Sequence, residues 1–267
     1  MIRTLYWHRL PSKTTLDALP LLRWAPSEDG LSPSTNTAAL MLWIVLHFCA
    51  EVHQVEDQQS GLSLSFRRVI ARASYDELSH AAGGVSRRLV GDGLDRLEKL
   101  GLLTKVGSHQ HRRYELTESD GGWFKLPCQA IVRNGVVVPF QQFKLRSQVE
   151  LFALKVYLYL AARRSNLYPY SLASYEKISK GTGVSERNIR QALVFLQLSG
   201  LLQDVRRERN NRDEDKTAYG PNIYYLNGHA SLSRDSSVDA TQGSEHHGLG
   251  TQEPPDVPQR KPRAAPF

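Results

Sequence analysis

The feature that most constrains this chain is a sentence written twice. Gly84 to Leu103 reads GVSRRLVGDGLDRLEKLGLL, and Gly183 to Leu202 reads GVSERNIRQALVFLQLSGLL. Aligned without a gap, nine of the twenty positions are identical. The shared residues are those that build a helix. A serine N-cap, Ser86 or Ser185, precedes each. Val90, Leu94 and Leu97 in one copy, and Ile189, Leu193 and Leu196 in the other, recur at the spacing of a core-facing stripe. Gly101 and Gly200 then stand where a left-handed C-cap is needed.

The context repeats as well. STNTAALMLWIVLHFCAEVHQ opens the first copy and is apolar nearly all round, which predicts a buried helix. SQVELFALKVYLYLAARR opens the second, with Val149, Phe152, Val156 and Leu160 at helical spacing and Ser147 with Glu150 in the pattern of a capping box. A short helix follows in each, SYDELS from Ser74 and SYEKIS from Ser174; Ser74 and Glu77 form a second capping-box pattern. A glycine turn leads into the repeated sentence. After each GLL the period changes to two: LLTKV and RRYELT flank GSHQH, while LLQDV and NIYYLN flank a long charged loop, RRERNNRDEDKTAYGP. Both read as β-hairpins. Between the copies lies AIVRNGVVV, whose Asn134-Gly135 is the preferred two-residue hairpin turn.

These observations divide the chain into an extension (1–33) lying on the first unit, a first unit (34–120), a connecting hairpin (121–146), a second unit (147–228) and a tail (229–267). The tail holds five of the 13 prolines and no Ile, Trp or Tyr, a composition that predicts disorder. The fold class expected is mainly α with small β-hairpins.

Helix, helix, turn, helix, hairpin, carried by SYDELSHAAGGVSRRLVGDGLDRLEKLGLL and SYEKISKGTGVSERNIRQALVFLQLSGLL, resembles the winged helix-turn-helix fold, in tandem over about residues 62–118 and 147–227. A pair of such units is similar to plasmid-type replication initiators and to some bacterial regulators. The resemblance implies a protein that binds double-stranded DNA sequence-specifically, as initiator or as transcriptional regulator. The alternative is a protein–protein docking module within a DNA-processing assembly, and a homodimer or such a protein partner is compatible with either.

The residues point the same way without the family. The net charge is +7, which suits an anionic partner. A helix fits the major groove with its N-terminal residues at base edges, where Arg reads guanine and Asn or Gln reads adenine. The outward positions of the second copy are Glu186, Arg187, Asn188, Arg190 and Gln191. In the first copy they are Arg87, Arg88, Asp92 and Asp95, and Gly91 and Gly93 interrupt the helix, so the second copy is the expected stronger reader. Gly91 is the expected place of close helix approach. Arg112 and Arg113 in the first hairpin, and Arg206, Arg207, Arg209 and Arg212 in the second, are the expected backbone or minor-groove contacts; acids interleave the second set. Ser86 and Ser185 complete the candidate DNA-binding set at the helix N-termini.

Other chemistry finds little support. Cys49 and Cys128 lack CxxC spacing, so neither a disulfide framework nor a zinc knuckle is indicated, and a reducing cytoplasm fits, with nucleoid or plasmid association. His109-Gln110-His111 falls in a predicted hairpin loop and His246-His247 in the tail, so no metal is expected. No phosphate loop, GxSxG elbow or HExxH pair occurs; no enzyme activity, catalytic residue or cofactor is expected. The tyrosines Tyr157, Tyr159, Tyr168, Tyr170 and Tyr175 are expected to pack the second core. The longest apolar run, Ala38 to Ala50, is shorter than the ~20 residues of a membrane span, and no membrane association is expected.

Overall fold

The computed structural model describes residues 2–26, 32–57, 64–107, 112–118, 122–164, 168–209 and 219–233. It is a mixed α/β structure of seven α-helices and several small antiparallel sheets, rather than mainly α. In chain order the elements are β1 (Trp7–Pro11), α1 (Ser12–Ala18), α2 (Ser34–Cys49), β2 (Ala50–Asp57), β3 (Leu64–Arg72), α3 (Tyr75–Ala81), α4 (Arg87–Lys99), β4 (Leu103–Val106), β5 (Arg113–Leu116), β6 (Trp123–Pro127), β7 (Val132–Arg133), β8 (Val136–Val137), α5 (Gln148–Arg163), β9 (Ser171–Ala173), α6 (Tyr175–Thr182), α7 (Glu186–Ser199), β10 (Leu202–Arg209) and β11 (Tyr219–Leu226).

The two copies share one topology. In the first, α2 leads through β3 to α3, α4 and the β4–β5 hairpin; in the second, α5 leads through β9 to α6, α7 and the β10–β11 hairpin. The returning strand of each hairpin is central: the sheets run β2-β3-β5-β4 and β10-β11-β9. A strand between the first and second helix of each copy is therefore part of the repeat, and β2 is an addition to the first copy alone.

The helix ends obey local chemistry. Ser74 and Glu77 make a complete capping box on α3. Gly101, Gly183 and Gly200 take φ of 68°, 69° and 81°, the left-handed region that a Cβ disfavours. Asn134 and Gly135 both have positive φ and turn β7 into β8. The capping box expected of Ser147 and Glu150 is not made. Ser147 accepts from the Val149 amide, while the buried Glu150 carboxylate accepts from the amides of Lys144 (2.8 Å) and Arg146 (3.1 Å). Leu145 between them takes φ 58°, and that turn brings both amides to one carboxylate.

Every residue of α2 is buried, as its all-round apolar pattern requires. It packs against α4 and α3 of its own copy and against α5 of the other; α5 in turn carries α6 and α7. Buried apolar side chains of both copies form one continuous cluster. The N-terminal segment does not lie on the first copy only. β1 pairs antiparallel with β6, α1 packs on α5, and the 3-10 turn at Leu19–Leu21 meets α6. At the other end, His229–Ser233 is an ordered 3-10 turn whose Leu232 is buried with Tyr6 and Trp7, so chain order runs past the expected start of the tail. Residues 234–267 lie outside the described residues.

Two expectations about interior positions change. The close approach of α4 to α2 falls at Gly93, not Gly91. A Cβ on Gly93 would stand 2.8 Å from Leu42 Cδ1 and 3.2 Å from the Ala39 amide nitrogen, whereas one on Gly91 would make ordinary contact, 3.5 Å from Tyr75. Of the tyrosines expected in the second core, Tyr157 and Tyr159 are buried, while Tyr168 is exposed and stacks on Tyr170.

Candidate nucleic-acid interface

The candidate interface is built on α4, α7 and the hairpins that follow them. Helix α7 is anchored by Ile189, Ala192, Leu193 and Leu196, all buried. With that stripe inward, Arg187, Arg190 and Gln191 are exposed, Glu186 stands beside them, and Asn188 is half-buried. Neither Arg187 nor Arg190 forms an ion pair or hydrogen bond among the described residues. Ser185 occupies the N-cap position, but its hydroxyl accepts no capping bond. Further along the same helix Val194 and Leu198 are exposed, a detail that the inward stripe did not single out.

Helix α4 carries its basic residues with acids against them, and shares only the Arg88 position with α7. Ser86 caps it by accepting from the Leu89 amide (3.3 Å). Arg87 Nη1 lies 3.1 Å from a carboxylate oxygen of Asp76 on α3, and Arg88 Nε lies 3.8 Å from Asp92 one turn on. Lys105 of β4 is likewise taken up by Asp95 and by Glu98 (3.1 Å). Exposed pairs of this kind contribute little stability, about 0–1 kcal/mol each. Their effect on a candidate anion site is larger than that, because each arginine arrives with a negative charge beside it.

The aligned residues make the contrast specific. Arg88 and Arg187 hold the same position in the repeat. The residue four further on is Asp92 in the first copy and Gln191 in the second. An i,i+4 acid faces the arginine on the same helix side. Its replacement by an amide removes that partner and leaves a side chain able to pair with adenine.

On the hairpins, Arg112 is held over the ring of Tyr75 at 3.9 Å, a cation–π contact that ties the start of β5 to α3. Arg112 and Arg113 line a shared depression of about 270 Å³ with Tyr75 and Lys105. In the second hairpin, Arg206 Nε donates to Asp204 at 2.7 Å, and its Cζ lies 5.1 Å from the Tyr225 ring centre; the hydrogen bond holds the Asp204 carboxyl below its usual range. Arg207 is exposed on the same strand. Arg209 ends β10, and Arg212 lies outside the described residues, as do His109, His111, His246 and His247. The partners Asp76 and Tyr75, both on α3, were not singled out from the sequence; the i,i+4 spacing of Arg88 and Asp92 is the one such signal it carries.

Among the described residues no cluster of His, Cys, Asp and Glu has the makings of a metal site, and no helix is long and apolar enough to cross a membrane. Burial pushes the Cys49 thiol up to about 11 and the Cys128 thiol up to about 12, so neither is a thiolate at neutral pH. No protein-family model matches the chain, and no curated protein and no solved structure matches it.

Proposed function

We propose that the chain binds double-stranded DNA sequence-specifically through two winged helix-turn-helix units, with α7 as the principal reader. The observation that carries this reading is the exposed face of α7. Arg187, Arg190 and Gln191 stand there, neither arginine forming an ion pair among the described residues, on a helix whose opposite side is sunk in the core. Such a face offers both guanine- and adenine-reading groups from the first two turns of a helix. The order helix, strand, helix, turn, helix, hairpin, with the same strand order in both copies, supports the winged-helix reading. Arg112, Arg113, Arg206 and Arg207 on the hairpins are suited to phosphate contacts beside the groove.

The first copy supports a second role as well. With Arg87 and Arg88 each beside an acid, α4 is a weaker anion site, and the unit is suited to docking another protein of a DNA-processing assembly. Within DNA binding, replication initiation and transcriptional regulation separate by target: clustered direct repeats for the first, a single palindrome over a promoter for the second.

The test is site selection from random duplexes followed by titration at two salt concentrations. Arg187→Ala lowers affinity for the selected site by about 1–3 kcal/mol and relaxes its base preference. Arg113→Ala weakens all duplexes alike and flattens the salt slope. Binding to no duplex at low salt, or an Arg187→Ala protein with unchanged affinity and preference, would overturn the reading.

A further inference from the structure

A second feature lies away from α4 and α7. Between β1, the β2–β3 pair and the start of β6 is a cleft of about 590 Å³, a size suited to a small organic ligand. Its wall carries Arg3, Arg9 and Arg67 together with Trp7 and Trp123. The two indoles lie nearly parallel, 5° apart with ring centres 5.9 Å apart. Trp7 is buried, but Trp123 is 42% exposed, with the Arg9 guanidinium 4.3 Å over its ring. Non-local pairing makes this arrangement: β1 and β6 run antiparallel, so Trp7 and Arg9 share a face with Trp123.

The charge in the cleft is uneven. Arg67 is paired with Glu118 at 3.3 Å, whereas Arg3 and Arg9 have no carboxylate partner among the described residues. His8 and His47 also line it, and burial lowers both to about 4, so at neutral pH they form an uncharged wall. The cleft therefore sets a partly exposed indole, with the Arg9 guanidinium lying over it, beside Arg3, which has no carboxylate partner among the described residues. That is the combination that accepts a planar base by stacking and its phosphate by charge.

We propose that this cleft binds an unpaired nucleotide, the base stacking on Trp123 in place of the exposed Arg9 guanidinium, which turns with Arg3 to hold the phosphate. The same chemistry is offered by a free nucleotide and by a nucleotide of single-stranded DNA. A carboxylate peptide would satisfy the arginines but not the stacked ring surface. The inference does not rest on duplex binding by α7, and the residues of the two sites do not overlap.

The experiment titrates the full-length protein into a fluorescein-labelled ten-residue oligothymidylate and follows anisotropy. Unlabelled dTMP, dAMP and a polyglutamate peptide serve as competitors. The oligonucleotide is expected to bind, and Trp123→Ala to weaken it roughly tenfold, the loss expected for one stacked base. Trp123→Phe retains most of the binding. Arg3→Ala with Arg9→Ala weakens it and reduces the salt slope. Competition by mononucleotide at concentrations near those of the oligonucleotide assigns the site to a free nucleotide; competition by the strand alone assigns it to single-stranded DNA. Arg3 and Arg9 are exposed, so their variants should keep the parent's melting temperature; Trp123→Ala gives up its stacking on Trp7 and should melt slightly lower, and duplex affinity should be unchanged by all of them. Arg187→Ala, conversely, should leave the oligothymidylate affinity unchanged. Absence of binding by strand and mononucleotides alike, equal binding by Trp123→Ala, or competition by polyglutamate as strong as by the strand overturns the proposal, whatever the duplex titration gives.

Discussion

Two glycines two residues apart in α4 should respond to alanine with opposite signs. In a helix interior, alanine is favoured over glycine by about 1 kcal/mol, because glycine loses more backbone freedom on folding. At Gly91 the new methyl would lie 3.5 Å from Tyr75, an ordinary contact, so Gly91→Ala should stabilise the fold by about 0.5–1 kcal/mol. At Gly93 the methyl would stand 2.8 Å from Leu42 Cδ1 and 3.2 Å from the Ala39 amide nitrogen. Leu42 and Ala39 are fully buried, and the second contact is backbone, so α4 and α2 must separate. Overpacking of this kind costs about 1–3 kcal/mol, which offsets the helix-propensity gain and leaves Gly93→Ala destabilised by up to about 2 kcal/mol. The equivalent position of the second copy is Ala192, fully buried on α7, so the tight approach belongs to the first copy. Urea unfolding of both variants, followed by far-ultraviolet circular dichroism, reads the two shifts as changes in midpoint at a common slope. A Gly93→Ala protein as stable as Gly91→Ala would refute the reasoning, since it would show that α2 and α4 have slack where the geometry has none.

Two pH dependences follow from burial. His8 and His47 have pKa values of about 4 in the fold against an ordinary 6.5. Between pH 6.5 and 4 the unfolded chain takes up protons that the fold refuses, so stability falls as pH falls through that window. His47→Leu should make the loss shallower, read as urea midpoints at pH 7.5, 5.5 and 4.5; an unchanged slope counts against it. Lys155 is buried with its ammonium donating to the Leu22 carbonyl at 3.0 Å, and burial lowers its pKa to about 8 from 10.5. From pH 8 to 10.5 the unfolded chain keeps a proton that the fold has released, so this lysine makes stability rise with pH. The buried thiols act oppositely above pH 9. The difference between the parent and Lys155→Met therefore isolates the lysine, and a difference that does not vary between pH 7.5 and 10 would contradict the assignment.

Legibility in the sequence followed the range of the interactions involved. Helices α4 and α7 were readable because their buried stripes, caps and closing glycines are all local. The Asn134–Gly135 turn was readable for the same reason. The β1 strand was not: its five residues draw their hydrogen bonds from β6, more than a hundred residues away, and leave no local signature. β9 is three residues long, too short for a period to show. Along residues 51–54 of β2, Glu51, Val52 and Gln54 are exposed and His53 is half-exposed, so this stretch offers no buried stripe for alternation to report. Glu150 was assigned to the wrong partner because the positive φ of Leu145, which brings two other amides to it, is not written in that residue's identity. At the candidate interface, the positions facing outward on α7 followed from its inward stripe. The acid against Arg87 and the ring under Arg112 did not, because both come from α3.

The continuous core gives the repeat a consequence that its sequence does not state. Two units joined by a linker alone would set their spacing by linker entropy. Here α2 packs directly on α5, and the N-terminal segment meets α2 of the first copy, α5 and α6 of the second, and β6 between them. The positions of α4 and α7 relative to one another are therefore held by packed side chains. Change on the exposed faces is correspondingly independent of the scaffold. Substituting Gln191 for an acid at the position of Asp92 alters the charge beside an arginine while leaving Ile189, Leu193 and Leu196 in place. Surface substitutions away from cores usually shift stability by no more than about 0.5 kcal/mol, so the two helices could diverge in charge at little cost to the fold. That separation of buried and exposed positions explains why the repeated sentence keeps its leucines, serine and glycine and varies the words between them.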